Sequence, residues 1–228
     1  MNILSMDTST KTFSLAVSSN EKILSFKHIK LKKVLSQSIM PAIDDILKKS
    51  KLKVSQLDGF AVGLGPGSFT SLRVGLSTIK GLSYATQKPV VGISSLEVIA
   101  SGLEAHDQTI CVLCDAKRNL VYSNFYQYQN NSLKPIKKYM LTDLKNILKF
   151  IKEDVYFVGD GLFLYEQEIK KWGKVKKLKI SFAKESQYYP KARNLAKLAL
   201  KRFKANKLDK VESLVPMYLY PEDCQVQK

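Results

Sequence analysis

Three short apolar runs open the chain, Ile3 to Met6, Phe13 to Val17 and Ile23 to Phe26, parted by Asp7-Thr8-Ser9 and Ser19-Asn20-Glu21. Strand-length runs bounded by such polar clusters predict antiparallel hairpins. The period then changes. Leu35, Ile39, Ile43, Ile46 and Leu47 recur at helical spacing, which predicts a helix from about Ser36 to Lys49 with Pro41 near its start. A strand over Phe60 to Gly63, a glycine-rich loop, a helix over Ser68 to Thr86, a strand over Val90 to Ile93 and a short helix over Ser95 to Leu103 complete this half.

The second half repeats the order. Strands are predicted over Ile110 to Cys114, Val121 to Tyr126 and Ile136 to Leu141, then a helix over Thr142 to Lys152 with Leu144, Ile147, Leu148 and Ile151 as its apolar stripe. Next come a strand over Val155 to Val158, a Gly159-Asp160-Gly161 turn, a helix through Tyr165 to Trp172, a strand over Val175 to Ile180 and a helix after Pro190. Both halves read βββαβα. Duplication of that unit predicts the ribonuclease H-like, actin-type (ASKHA) α/β fold, two lobes of mixed sheet flanked by helices, divided as residues 1–105 and 106–228. Asp7 and Asp115 fall in equivalent first turns.

Residues Gly63 to Gly75 read Gly-Leu-Gly-Pro-Gly-Ser-Phe-Thr-Ser-Leu-Arg-Val-Gly and carry the chain from strand into helix. Glycines at such a place leave amides free to meet an anion or let another segment approach, and Ser68 or Thr70 can cap the helix. A phosphate-binding NTPase loop needs a lysine at the helix start, and Ser68-Phe69-Thr70 stands there instead. An actin-type ATPase or small-molecule kinase remains an alternative, with Asp7 and Asp115 holding magnesium and Gly65 to Ser68 meeting phosphate. Gly159-Asp160-Gly161 is then a weak adenosine clamp. Against it stands the ordinary role of aspartate in turns. Peptidase chemistry has less to stand on: there is no Gly-x-Ser-x-Gly elbow, and the two histidines, His28 and His106, lack metal-ligand spacing.

The helix after the loop has two unlike faces. Leu72, Leu76, Ile79 and Leu82 make an inward apolar face, while Thr70, Val74, Ser77 and Gly81 form a stripe of small residues nearly opposite, flanked by Arg73, Lys80 and Tyr84. Small side chains permit close approach of a second helix, and long flanking ones anchor an interface rim. An ordinary solvated face is the plainer alternative.

Composition changes this picture little. The formal charge is +17, but it is built almost wholly from lysine spread along the chain, with Arg73, Arg118, Arg193 and Arg202 the four arginines. A general basic surface fits that spread better than a dedicated nucleic-acid site built on arginine forks. Of three cysteines, Cys111 and Cys114 have CxxC spacing inside an apolar strand, where residues three apart face opposite sides, so two core thiols are expected rather than a metal pair. The start, Met1 to Lys11, carries Asp7 and lacks a basic lead into a long apolar run, so a cytoplasmic protein without membrane partners is expected.

Three motifs in order carry a resemblance: Asp7-Thr8-Ser9 after the first strand, Gly65-Pro66-Gly67-Ser68-Phe69-Thr70 followed by Leu72-Arg73-Val74-Gly75, and Asp115-Ala116-Lys117-Arg118 before Val121-Tyr122. Together they resemble the TsaB (YeaZ) family of bacterial threonylcarbamoyladenosine biosynthesis proteins, from Met1 to about Gln127 and again at Pro216-Met217-Tyr218-Leu219. The resemblance implies an actin-like fold with a degenerate second lobe and no catalytic residue or metal of its own. It implies a partner of the TsaD transferase, which attaches threonylcarbamoyl to the adenosine beside the anticodon of ANN-reading tRNAs, with the ATPase TsaE joining the pair. It also implies a homodimer through first-lobe helices when the chain is alone, with Thr70, Arg73, Val74, Ser77, Gly81 and Tyr84 as interface. Asp7, Thr8, Gly65, Gly67, Ser68 and Asp115 then hold vestigial phosphate-site positions. No tightly bound cofactor is implied; ATP or ADP with magnesium, and the tRNA, enter at the level of the complex. Ser71, Leu35, Leu120 and Tyr220 depart from the family pattern.

Overall fold

The computed structural model describes residues 1–30, 34–104, 107–130 and 132–220; His106 and Cys224 lie outside them. In chain order the elements are β1 (Asn2–Asp7), β2 (Thr12–Ser19), β3 (Lys22–Lys30), α1 (Leu35–Lys49), β4 (Gly59–Gly63), α2 (Phe69–Thr86), β5 (Val90–Ile93) and α3 (Ser95–Ala100). They continue with β6 (Thr109–Lys117), β7 (Leu120–Gln129), β8 (Ser132–Pro135), β9 (Met140–Thr142), α4 (Leu144–Lys149), β10 (Val155–Val158), α5 (Leu162–Lys176), β11 (Ile180–Phe182) and α6 (Ala192–Lys204).

The first sheet has the order β3-β2-β1-β4-β5. Its first three strands pair antiparallel, because turns of four and two residues join them, whereas β1, β4 and β5 run parallel. Parallel neighbours need a crossover, and α1 and α2 supply it. Leu4, Met6, Phe13, Leu15, Phe60 and Val62 face Ile39, Ile43 and Ile46 of α1 and Leu76 and Ile79 of α2. On the other side Ile3, Ala61, Val91 and Ile93 pack under Leu195, Ala199, Leu200 and Phe203 of α6. A sheet covered on both faces has no polar side to alternate with, which is why β4 reads as an unbroken apolar run and the Ile3 to Met6 run of β1 is interrupted only by Ser5.

The second sheet has the order β11-β10-β6-β7-β8, with β9 paired to the other end of β7. Read from the opposite edge this is the topology of the first sheet, with β6 in the place of β1 and β10 in the place of β4. The duplication expected from the element order is present.

The structure corrects several details. The chain divides as Met1–Val98 with Pro190–Met217, and Ile99–Tyr189 with the residues from Tyr218 onward, not at 105/106. The cause is α6, whose apolar stripe covers the first sheet. Arg202 Nη1 donates to the Gly92 carbonyl at 2.6 Å, and Asp209 accepts from the Gly92 amide at 2.8 Å, tying α6 and its exit to β5. The third strand of the second half, expected over Ile136 to Leu141, is two strands: β8 pairs with Tyr126 to Gln129 and β9 with Val121 to Ser123. The helix expected over Thr142 to Lys152 is the shorter α4, started by Asp143, whose Oδ1 accepts from the Asn146 amide at 2.9 Å.

Of the strand expected over Val175 to Ile180, Val175 and Lys176 belong to the end of α5 and only Ile180 is strand, as the first residue of β11. Gly173 is a packing position rather than a break: a Cβ there would press into Ile180 Cγ1, so glycine lets α5 pass close over β11. The helix runs on to Lys176 and ends at Lys177 in the left-handed region, φ 56°. Likewise α3 ends at Ala100, where Gly102 and Leu103 turn back onto the carbonyls of Ile99 and Ala100.

Candidate functional site

Asp7 closes β1 and is 0% exposed. Its Oδ1 accepts from the Ser9 amide at 2.9 Å and from the Ser9 hydroxyl at 2.7 Å, and its Oδ2 accepts from the Ser95 hydroxyl at 2.7 Å. Burial pushes the carboxyl above its ordinary value of 3.8, against the pull of these three bonds. Neither oxygen faces solvent, so this side chain organises the turn around it.

The glycine loop packs onto that turn. Ser95 Oγ also accepts from the Gly65 amide at 3.0 Å, and the Ser95 amide donates back to the Gly65 carbonyl at 2.8 Å. The Ser68 amide donates to the Ser9 carbonyl at 2.8 Å and the Leu64 amide to the Ile93 carbonyl at 2.9 Å. The Gly65–Pro66 peptide is cis, with Gly65 at φ 91°. A Cβ on Gly67 would collide with the Ser9 carbonyl, its carbon 2.8 Å away, and one on Gly75 would collide with the Thr8 hydroxyl. Thr8, 1% exposed, donates from Oγ1 to the Ser71 carbonyl at 2.8 Å. Amides that a phosphate cradle would offer to an anion are thus given to Ser9, Ser95 and Ile93, and the glycines make room for Asp7-Thr8-Ser9. Ser68 occupies the N-cap position of α2 without a capping bond; its hydroxyl donates to Ser71 Oγ at 3.0 Å.

The second unit has a counterpart by topology. Asp115, near the end of β6, accepts from the Lys117 amide at 2.8 Å and pairs with the Lys117 ammonium. Its own amide donates to Asp160 Oδ1 at 3.1 Å. Gly159, at φ 121°, lies against the Leu113 backbone, and the Gly161 amide donates to the Leu113 carbonyl at 2.9 Å. Here too a glycine turn is used for close packing on the first strand of its own sheet. Among the described residues no group of three or more His, Cys, Asp or Glu side chains could hold a metal ion. Cys111 and Cys114 are both buried, and burial pushes the Cys111 thiol up to about 12.

Ser9, which the sequence offers only as part of the Asp7-Thr8-Ser9 turn, Ser95, offered only as a helix start, and Leu113 are not among the expected site residues. A Ser-Ser pair directly after β5 was the one available signal for Ser95, and nothing local pointed to the Leu113 carbonyl.

The outward side of α2 matches the predicted face except at Val74 and at the flanking Lys80. Thr70, Arg73, Ser77, Gly81 and Tyr84 are exposed, whereas Val74 is half buried and packs against the core. Nothing lies within 4 Å of where a Gly81 Cβ would be. The Arg73 guanidinium lies 3.8 Å over the centroid of Phe69, itself 40% exposed, and Tyr84 is 49% exposed. Lys80 is turned away from this face, its Nζ donating to the Glu212 carbonyl at 3.2 Å. Leu72, Leu76 and Ile79 are buried as predicted.

A family model described as TsaD, tRNA N6-adenosine threonylcarbamoyltransferase, matches residues 30–226. The tRNA threonylcarbamoyladenosine biosynthesis protein TsaB of Bacillus subtilis is 32% identical over 222 residues, 96% of this chain and 94% of that protein. TsaB of Escherichia coli K12 is 32% identical over 136 residues, 58% of either chain. Among solved structures, YeaZ from Pseudomonas aeruginosa matches with a TM-score of 0.80 at 24% identity, covering 96% of this chain and 99% of that one. The activator of the 2-hydroxyisocaproyl-CoA dehydratase from Clostridium difficile, with bound ADPNP, matches with a TM-score of 0.54 at 11% identity over 96% and 100% of the two chains. These structural likenesses bear out the actin-type fold.

Proposed function

The chain belongs to the TsaB family, whose role is in forming threonylcarbamoyladenosine in tRNA, and we propose that it serves there as a non-catalytic partner of a TsaD homologue. In this reading it scaffolds and activates a complex completed by a TsaE homologue, in the cytoplasm, and holds a second copy of itself when TsaD is absent. ATP or ADP with magnesium, and the tRNA substrate, belong to the complex; the chain alone keeps no tight cofactor.

One observation carries the proposal. The loop and the aspartate that would do chemistry in an actin-type ATPase are spent on holding one another, and their effect is to fix α2 with an exposed face of Thr70, Arg73, Ser77, Gly81 and Tyr84. A rigid helix with a bare glycine at the middle of its outer face lets another helix approach closely, and Tyr84 and the Arg73–Phe69 pair supply large anchoring surface beside it. The same internal use of Asp7 and the loop disfavours the kinase alternative.

Two measurements test this. Threonylcarbamoyl transfer to an ANN-reading tRNA transcript is reconstituted from TsaD and TsaE with and without the chain; activity that is indifferent to its omission refutes the role. Gly81→Glu places a carboxylate in the open position on α2, and it is expected to abolish co-purification with TsaD while leaving the fold intact. Unchanged co-purification overturns the docking face.

A further inference from the structure

The second unit carries an open groove of about 580 Å³ between α4 and α5, away from the glycine turn of that unit. Leu148, Ile151, Leu178 and Trp172 form its apolar lining, and Lys145, Lys149, Lys152 and Lys176 stand around it with one carboxylate, Glu168. Leu148 and Ile151 are buried, Trp172 is half buried, and the four lysines are exposed. Lys149 donates to Asn146 Oδ1 at 2.7 Å. Among the described residues none of the four lysines is engaged in an ion pair, in contrast to Lys170 of α5, which pairs with Glu166 at 2.5 Å.

The positions of these lysines follow from helix geometry. Lys145 and Lys149 are four apart on α4, one above the other on one face, and Lys152 follows in its exit. Apolar Leu148 and Ile151 beside them turn inward. Lys176 sits in the last turn of α5, four residues after Trp172. The result is a groove with the half-buried Trp172 in its lining and four ammonium groups around it that make no ion pair among the described residues.

Apolar floor, indole and cationic rim together select an occupant that is at once flat and polyanionic. An acidic peptide would use the rim and leave the indole idle. Unpaired RNA uses both, by stacking a base on the ring while its phosphates meet the lysines. We infer that the groove lined by Trp172, Lys145, Lys149, Lys152 and Lys176 binds a single-stranded segment of tRNA. The inference rests on the reading that this chain works on tRNA, and it gives part of the lysine-rich surface a definite task.

Trp172 is the one tryptophan of the chain, so its fluorescence reports this groove directly. The full-length protein is titrated with an ANN-reading tRNA transcript, with an oligouridylate, and with polyglutamate. Both RNAs are expected to quench Trp172 saturably, and polyglutamate is not. With four phosphate contacts to a single strand, log K is expected to fall with log salt at a slope of about −3. Replacing Lys145, Lys149 and Lys152 by glutamine removes three contacts, lowers the slope by about 2 and weakens binding roughly 100-fold at 0.1 M salt. These lysines are exposed, so the variant retains the fold, which its circular dichroism and melting temperature check. Trp172→Ala, followed with end-labelled oligouridylate, is expected to weaken binding roughly ten-fold. Absent quenching, equal quenching by polyglutamate, or undiminished RNA affinity in the lysine variant overturns the inference. Transfer activity reconstituted with TsaD and TsaE separates the two readings. If transfer needs the chain but Trp172 is not quenched, the groove assignment alone fails; if transfer ignores the chain, the role itself fails.

Discussion

Gly75 and Gly81 lie on the same helix, and alanine at each should have opposite effects. In either place the change removes backbone freedom from the unfolded chain and gains about 1 kcal/mol of helix propensity. At Gly81 nothing opposes this, because the space within 4 Å of the new methyl is empty. At Gly75 the methyl would overlap Thr8 Oγ1 and come within 3.0 Å of Thr8 Cγ2. Thr8 has nowhere to go: it is 1% exposed, and rotating away its hydroxyl breaks the 2.8 Å bond to the Ser71 carbonyl. Overpacking costs about 2 kcal/mol, and leaving that buried pair unmade costs roughly another 2. Gly75→Ala should therefore destabilise by about 3 kcal/mol net, once the propensity gain of about 1 is counted. For a chain of this length, that lowers the melting temperature by roughly 6–12 °C, whereas Gly81→Ala raises it by about 2–4 °C. Urea titration and thermal melting followed by far-ultraviolet circular dichroism measure both. If the two variants shift alike, the contact between the α2 glycine and the Asp7-Thr8-Ser9 turn is not what requires glycine, and the account of the loop given above is wrong.

Asp7 predicts a pH dependence of definite sign. Its folded carboxyl binds a proton more readily than the unfolded one, so its contribution to stability is fully present below pH 3.8 and is lost as pH rises through the folded value. The melting temperature of the native chain minus that of Asp7→Asn should fall with rising pH across that window; a rise would show that the three hydrogen bonds, not burial, dominate. Asp209→Ala leaves Arg202 and the Gly92 amide without their shared acceptor at 3.1 and 2.8 Å, and should cost about 2 kcal/mol in urea unfolding, the pair being only partly buried. No loss would mean that α6 is held to β5 by apolar contacts alone. Cys111, pushed up to about 12, should resist alkylation at pH 8 in the folded Cys224→Ser variant and react once urea unfolds it. Rapid native-state labelling of Cys111 would contradict its burial.

Much of the fold was legible because it is written in period. The spacing of Leu72, Leu76 and Ile79 fixed which side of α2 enters the core, and the apolar runs of β1 and β4 marked strands covered on both faces. Two failures have a common physical root. Gly173 looks like a break when only its neighbours in sequence are considered, and becomes a place for Ile180 when the strand beyond it folds back. Ile136 to Leu141 reads as one strand, but β7 is long enough to pair with a separate short strand at each end. The boundary between the units failed for the same reason, since the apolar stripe of α6 does not say which sheet it will cover.

The candidate site divides along that line. By itself the sequence determined the duplicated βββαβα order, the two unlike faces of α2, the family, and the places of Asp7, Asp115 and the glycine loop, because each of these rests on residue type and short-range spacing. It could not determine whether the loop amides await a phosphate. That depends on Ser9 and Ser95, some sixty residues before and thirty residues after the loop, arriving with a carbonyl and a hydroxyl at 2.8 and 3.0 Å. A hydrogen bond is decided over a few tenths of an ångström, and only the assembled tertiary structure sets distances of that size between distant parts of a chain.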